Sequence, residues 1–500
     1  MRVAKSGGVP PITAQKIVRR LAALFLLASL SCNASDSTQP PEAIHSSRKN
    51  IVLITLDALR QDHLSAFGYS RQTSPNIDWL SKHGAVFRNV VPSGCSTKAS
   101  LTSLYTSMDY RHHHVLRHGA VLNDEYSTLA EIFKQHGYDT AAFIGTPHLR
   151  GELNYDQGFD LYEDFSGFWL QVKGVVQRLI PDALVLRIPG ADRFLERMGY
   201  ITAGLVVDAM LRYLAIRPAG DTPFFVYAHL EEPHPPWIHG SPWLTEKEER
   251  EQFFLCTHVP SDEELKAVSS RTRENLIAKY DGAIRFADEQ IGRLISALRN
   301  RGLLENSVIA VSTDHGLELL ERYSATHGYN PFDEVVRTFL VLYDGSGRIG
   351  RVDTNRIQGR IFDIGPTLLG LANLEPPPGL DGIDLLNDPE RLPPYAFSKC
   401  YNAEVVRSLD FKLFEIRKVQ GRNHPEGMPI GLQFYSLRED PGETRDVRER
   451  YPRRFEEMRE ELEAYRADLE KEFLPEIEVE DKDLSRGTYE MLKRLGYIEE

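Results

Sequence analysis

Asn50-Ile51-Val52-Leu53-Ile54-Thr55-Leu56 is an unbroken, β-branched-rich run that stops at Asp57. A short apolar run ending on a polar residue is what a parallel sheet buries on both faces. Ser307-Val308-Ile309-Ala310-Val311-Ser312-Thr313 repeats the pattern and ends at Asp314-His315-Gly316. Ala141-Ala142-Phe143-Ile144 and Phe224-Phe225-Val226-Tyr227-Ala228-His229 are further runs, and residues 127–136 and 275–299 between them carry helical periodicity. This alternation predicts an α/β fold, a mostly parallel central sheet flanked by helices. Chemistry in such sheets sits beyond the carboxyl ends of the strands. Asp57 and Asp314-His315 stand at two such ends.

Working outward, the regularity fades over residues 166–275, which read as an insertion, and changes character after about Pro394. There Phe411-Lys412-Leu413-Phe414-Glu415-Ile416 and Gln433-Phe434-Tyr435-Ser436-Leu437 alternate like antiparallel strands, and residues 455–471 form a charged amphipathic helix. A smaller C-terminal α+β subdomain is therefore expected over 394–500. At the other end, Lys16, Arg19 and Arg20 precede the apolar run from Leu21 to Leu30. A basic segment before a short apolar one reads as an export signal over 1–31, too short for a comfortable membrane span. The other reading is an uncleaved interfacial or anchoring helix. Ser29-Leu30-Ser31-Cys32 resembles a bacterial lipoprotein cleavage box, which implies a lipid anchor on Cys32 and a periplasmic or cell-envelope location. Residues 32–48 are polar and Pro-containing, suited to a flexible tether between membrane and domain.

The chain of 500 residues has room for a large core, and its 41% apolar and 26% charged content is that of a soluble globular protein. A net charge of −13 excludes a general nucleic-acid binder, which needs a basic surface. If Cys32 is lipidated or removed, Cys95, Cys256 and Cys400 allow at most one disulfide, and their spacing suggests no zinc cluster.

An Asp-His-Gly after an apolar strand places a carboxylate and an imidazole within reach of one borderline divalent cation. A threonine hydroxyl beside that cation is what sulfuryl or phosphoryl transfer requires. Thr97-Lys98-Ala99-Ser100-Leu101-Thr102-Ser103-Leu104-Tyr105-Thr106-Ser107 supplies a candidate. With the run through Asp57 to His63-Leu64, Ser74-Pro75-Asn76-Ile77-Asp78, Tyr280-Asp281, Asp288-Glu289-Gln290-Ile291-Gly292, Asp314-His315-Gly316 and Asp440-Pro441-Gly442-Glu443-Thr444 in this order, the chain resembles the sulfatases of the alkaline phosphatase superfamily over about residues 49–445. The resemblance implies a catalytic domain over 49–393. Carried over by position, it implies that Asp57, Asp314 and His315 ligate a metal and that Thr97 is both ligand and nucleophile. His234 and His327 fall where the family places groups that touch the transferred group or the leaving oxygen. His148 matches the family's Lys-x-His segment, although Thr146 stands where its lysine should be.

The departures bear on the chemistry. Sulfatases oxidise a Cys or Ser to formylglycine where this chain has Thr97. The paired aspartate, proline and arginine of their patterns are Ala58, Ala99 and Leu101 here. Cys95 lies two residues early and does not restore the modification motif. Two-metal relatives draw further ligands from an Asp-x-x-x-His, but Asp281 is followed by Arg285, so a single divalent ion (Mn, Zn, Mg or Ca) is expected. The expected function is a metal-dependent hydrolase or transferase of sulfate or phosphate esters. Its substrate would be a glycan, lipid headgroup or small molecule, and threonine suits phosphate esters better. The alternative is a catalytically impaired homologue that binds a glycan or a protein partner. The run His112-His113-His114 reads as a surface loop.

Overall fold

The computed structural model describes residues 48–165, 202–248, 269–322, 326–418 and 428–471, except positions 118, 218, 219, 221, 236 and 246. The expected export signal, almost all of the tether, Cys32, Cys256 and the segment 472–500 lie outside them. The first strand, β1 (Asn50–Leu56), is fully buried, as its composition demands. Around it lie β2 (Ala85–Val91), β3 (Asp139–Ile144), β4 (Leu161–Asp164), β5 (Phe224–Leu230), β6 (Ser307–Thr313), β7 (Thr338–Asp344) and β8 (Val352–Arg360), in the order β4-β3-β5-β1-β6-β7-β2-β8. Only β7 runs against its neighbours in this sheet. The mixed α/β architecture and mostly parallel central sheet are those expected from the sequence.

Strand parity divides the core. Val52, Ile54 and Leu56 of β1 face the layer built by helices Ala203–Ile216 and Ser270–Asn300, whereas Ile51 and Leu53 face the layer holding Leu101, Leu104, Phe133 and Leu368. Numbered along the chain, the helices are α1 (Pro75–Lys82), α2 (Thr97–Thr106), α3 (Leu129–Gln135), α4 (Ala203–Ile216), α5 (Ser270–Asn300), α6 (Ile364–Leu371) and α7 (Pro452–Lys471). Helix α3 starts in a capping box, with Thr128 and Glu131 each bonding the other's backbone N–H. The stretch 166–275, expected as an insertion, contributes α4 and also β5, which lies between β3 and β1. That part of it belongs to the central layer.

A second, antiparallel sheet follows, in the order β12 (Gly431–Ser436), β11 (Phe411–Ile416), β10 (Ala403–Arg407), β9 (Ala396–Lys399). Its alternating Val406, Leu413 and Phe434 pack on Met458 and Leu462 of α7. A disulfide joins Cys95, just before α2, to Cys400 after β9.

Candidate active site

Leu56 pairs with Leu230 of β5 on one side and Thr313 of β6 on the other, so Asp57, Glu231 and Asp314 emerge abreast at three carboxyl ends. Parity sets their direction. Tyr227 and His229 of β5 alternate onto the face that α2 covers, as do Leu53 and Thr55 of β1 and Ala310 and Ser312 of β6. The next residues in those rows are Glu231, Asp57 and Asp314.

The turn after β1 is fixed by Ala58, whose φ of 57° lies in the left-handed region, disfavoured for a residue with a Cβ. This conformation is held by its N–H donating to Asp314 Oδ1 (3.1 Å) and by Tyr280 Oη donating to its carbonyl (2.8 Å). The His315 N–H also donates to Asp314 Oδ1 (2.8 Å). Asp314 Oδ2, Asp57 Oδ1 and Glu231 Oε2 have no hydrogen-bond partner among the described residues. After His315 the chain needs glycine, because a Cβ at Gly316 would lie 2.0 Å from the Glu334 carbonyl oxygen.

Thr97 is the first residue of α2, where the helix N-terminus favours negative charge. Its Oγ1 is 3.2 Å from His315 Nε2 and 3.4 Å from Asp57 Oδ2. His315 Nδ1 lies 2.9 Å from the Gly316 carbonyl, which can only accept, so Nδ1 carries the proton and Nε2 presents its lone pair. That Nε2 is 3.4 Å from Asp314 Oδ2 and 3.9 Å from Asp57 Oδ1. Ligands about 2.1 Å from one tetrahedral cation stand about 3.4 Å apart. The donor set and spacing of Asp57, Asp314, His315 and Thr97 therefore fit a divalent ion.

The electrostatics agree. Burial pushes the Asp57 carboxyl up to about 8. Burial, then Asp57, pushes Asp314 well above the usual carboxylate range. Burial, followed by Asp57, Glu232 and Asp314, does the same to Glu231. Burial also pulls His315 down to about 3 and His229 to about 4. These carboxylates are short of positive charge and these imidazoles hold open lone pairs, as cation ligands do.

His234 and His327 meet over this group, Nε2 to Nε2 at 3.2 Å, and the His327 ring stacks on His315 with centroids 4.2 Å apart. His234 Nδ1 donates to the Pro235 carbonyl (2.6 Å) and His327 Nδ1 to that of Cys95 (3.3 Å). His148 is buried near α2, and its carbonyl accepts from the Lys98 ammonium (2.9 Å). Cys95 is committed to its disulfide. Asp281 accepts from His63 Nδ1 (2.8 Å), Tyr69 Oη (2.8 Å) and Arg71 (2.7 Å), so it is occupied by protein donors. Within the triple-histidine run, His113 is fully buried on Ser103 Oγ (2.7 Å) in a helical turn and is no surface residue. Sequence reasoning passed over His229 and Glu231, which with Asp57 form a second group of convergent ligand atoms.

The family model for sulfatases matches residues 49–374. An ulvan-active sulfatase of Formosa agariphila is 29% identical over 392 residues, 74% of this chain and 70% of that protein. An arylsulfatase of Clostridium perfringens is 25% identical over 384 residues, 68% of this chain and 78% of that one. In fold, the phosphonate monoester hydrolase of Agrobacterium radiobacter superposes with a TM-score of 0.62 at 23% identity, over 84% of this chain and 96% of that one.

Proposed function

The chain belongs to the sulfatase family of ester hydrolases, and we propose that it cleaves a sulfate or phosphate ester with Thr97, not formylglycine, as nucleophile. The observation that carries this reading is the Thr97 hydroxyl at the N-terminus of α2, within 3.4 Å of both His315 Nε2 and Asp57 Oδ2. Asp57, Asp314, His315 and Thr97 would hold a divalent cation, which supplies positive charge to the transferred group and lowers the pKa of the hydroxyl. The Asp57 carboxylate, with Oδ2 3.4 Å from Thr97 Oγ1, lies where it accepts the Thr97 proton, while the Nε2 lone pair of His315 is kept for the cation. Thr97 Oγ1 then bonds to sulfur or phosphorus as the bond to the leaving oxygen breaks. The α2 N-terminus directs backbone N–H groups at the charge that develops.

The leaving oxygen takes its proton from His234 or His327. Both rings donate through Nδ1 to a carbonyl, so their facing Nε2 atoms share one proton when the pair carries a single positive charge. Burial and then His327 hold His234 well below an ordinary histidine, and an anionic ester alongside favours the charged form. Water then attacks the sulfur or phosphorus and gives a proton to the pair, while the bond to Thr97 Oγ1 breaks and Thr97 regains its proton from Asp57. The similarity to an ulvan-active sulfatase and an arylsulfatase supports glycan, lipid-headgroup and small-molecule esters as substrate classes. Export through residues 1–31 with a tether over 32–48 is part of the same reading.

A panel of aryl sulfate, aryl phosphate monoester and phosphodiester, assayed with Mn, Zn, Mg and Ca, tests it. Thr97→Ala is expected to abolish turnover of whichever ester is cleaved, while Thr97→Ser retains a measurable fraction. Unchanged turnover in Thr97→Ala excludes Thr97 as nucleophile. Inertness of the cation-loaded wild type on every ester would favour the glycan- or partner-binding alternative.

A further inference from the structure

The β5 side of Asp57 is built like the β6 side. His229 and Glu231 converge on Asp57 with ligand atoms all within 4.8 Å of one another, as Asp314 and His315 do from the opposite flank. His229 is fully buried, with Nε2 3.4 Å from Asp57 Oδ2 and Nδ1 2.8 Å from Thr55 Oγ1. Thr55 Oγ1 in turn lies 2.7 Å from Tyr227 Oη. Thr55 Oγ1 can accept a hydrogen bond from Nδ1–H while donating to Tyr227 Oη, an arrangement that suits the tautomer presenting Nε2 as a ligand. The Glu231 side chain is 16% exposed and its Oε1 faces His234 Nδ1 at 4.0 Å, while Oε2 has no hydrogen-bond partner.

Charge makes the same point. Among the described residues, the ion pairs of Asp57, Asp314 and Glu231 are all to histidines. With all three carboxylates ionised, one divalent ion balances only two of them, in a place where an uncompensated buried charge is costly. The fully buried Asp57 lies between the two flanks with no hydrogen-bond partner for Oδ1 among the described residues, and a carboxylate so placed can bridge two ions.

We propose that Asp57, His229 and Glu231 form a second divalent-cation position, so that the centre holds two ions bridged by Asp57. This rests on the metal site of the proposed function and extends it to ligands from β5. The nitrogen and oxygen donors suit Mn or Zn better than Ca.

The test is stoichiometry by equilibrium dialysis of the full chain against Mn or Zn, with elemental analysis, alongside electron paramagnetic resonance of the Mn-loaded protein. Wild type is expected to take two ions per chain and to show a spin-coupled Mn pair. Glu231→Gln and His229→Ala should each take one ion and lose the coupling, with circular dichroism unchanged. Asp314→Asn should retain an ion only on the β5 side. Saturation of wild type at one ion overturns the second position and leaves the proposed function standing, as do two ions retained in both β5 variants. No ion bound to wild type overturns both.

Discussion

Two buried clusters of carboxylates lie in this molecule, and they treat charge in opposite ways. Where the two sheets meet, Asp333 takes a two-pronged pair from Arg407 of β10 (3.1 and 2.9 Å) and another from Lys412 of β11 (2.9 Å). Lys412 also pairs with Glu443, whose other oxygen accepts the Asp333 N–H at 2.6 Å. Beyond the ends of β1, β5 and β6, Asp57, Glu231 and Asp314 have no Lys or Arg partner among the described residues and keep oxygens without hydrogen bonds there. Arg407 and Lys412 make the first cluster a joint between layers. The second is left open to a cation from solution. Buried carboxylates thus mark a site when their compensation is missing, not when they are merely numerous.

The contrast breaks if removing charge has the same effect in both places. Asp314→Asn should lower turnover by roughly 1000-fold or more, since a lost cation forfeits several kcal/mol of charge stabilisation. The same variant should leave the metal-free melting temperature unchanged or raised, and a lowered one would count against an open site. Asp333→Asn strands Arg407 in the interior and should cost about 3–5 kcal/mol in denaturant unfolding. A cost below about 1 kcal/mol would show that the joint is not what holds the sheets together.

pH sharpens the comparison further. Asp57 rises from an ordinary 3.8 to about 8 in the folded, metal-free chain. Between those values the unfolded chain has lost a proton that the folded one keeps, so stability falls as pH rises through the window. Asp333 has the opposite sign. Although burial raises it, Arg407 and Lys412 hold it well below the usual range, so its contribution is complete above 3.8 and is lost on acidification. Thermal melts of metal-free protein from pH 5 to 8 should therefore decline, and Asp57→Asn or added Mn should flatten the trend. A flat wild-type profile would contradict the uncompensated charge. Smallest of all, Arg459→Ala on the exposed face of α7 breaks pairs with Glu456 and Glu463 and should leave the melt unmoved.

What the sequence disclosed follows the range of each interaction. Asp57 and Asp314-His315 were legible because an apolar strand ending on a polar residue is a local signal. His229 and Glu231 were not, although Phe225, Tyr227, His229 and Glu231 occupy one parity row that turns polar as β5 ends. Reading that row as ligands requires knowing that β5 lies beside β1, and strand order is a tertiary fact. His113 misled for a related reason, since its partner Ser103 belongs to a packed helix. The joint at Asp333 draws on β10, β11 and the turn after β12, segments about 70–110 residues distant, and no spacing rule reaches that far.

The bond between Cys95 and Cys400 spans 305 positions. It closes the chain into a covalent hoop that contains β3 to β9 and leaves β1 and β2 outside. A protease that cuts once anywhere between the two cysteines leaves a single molecule that runs as intact mass until a reductant opens it. The two fragments stay joined at Cys95, two residues before Thr97, so cleavage by itself need not end the life of the site.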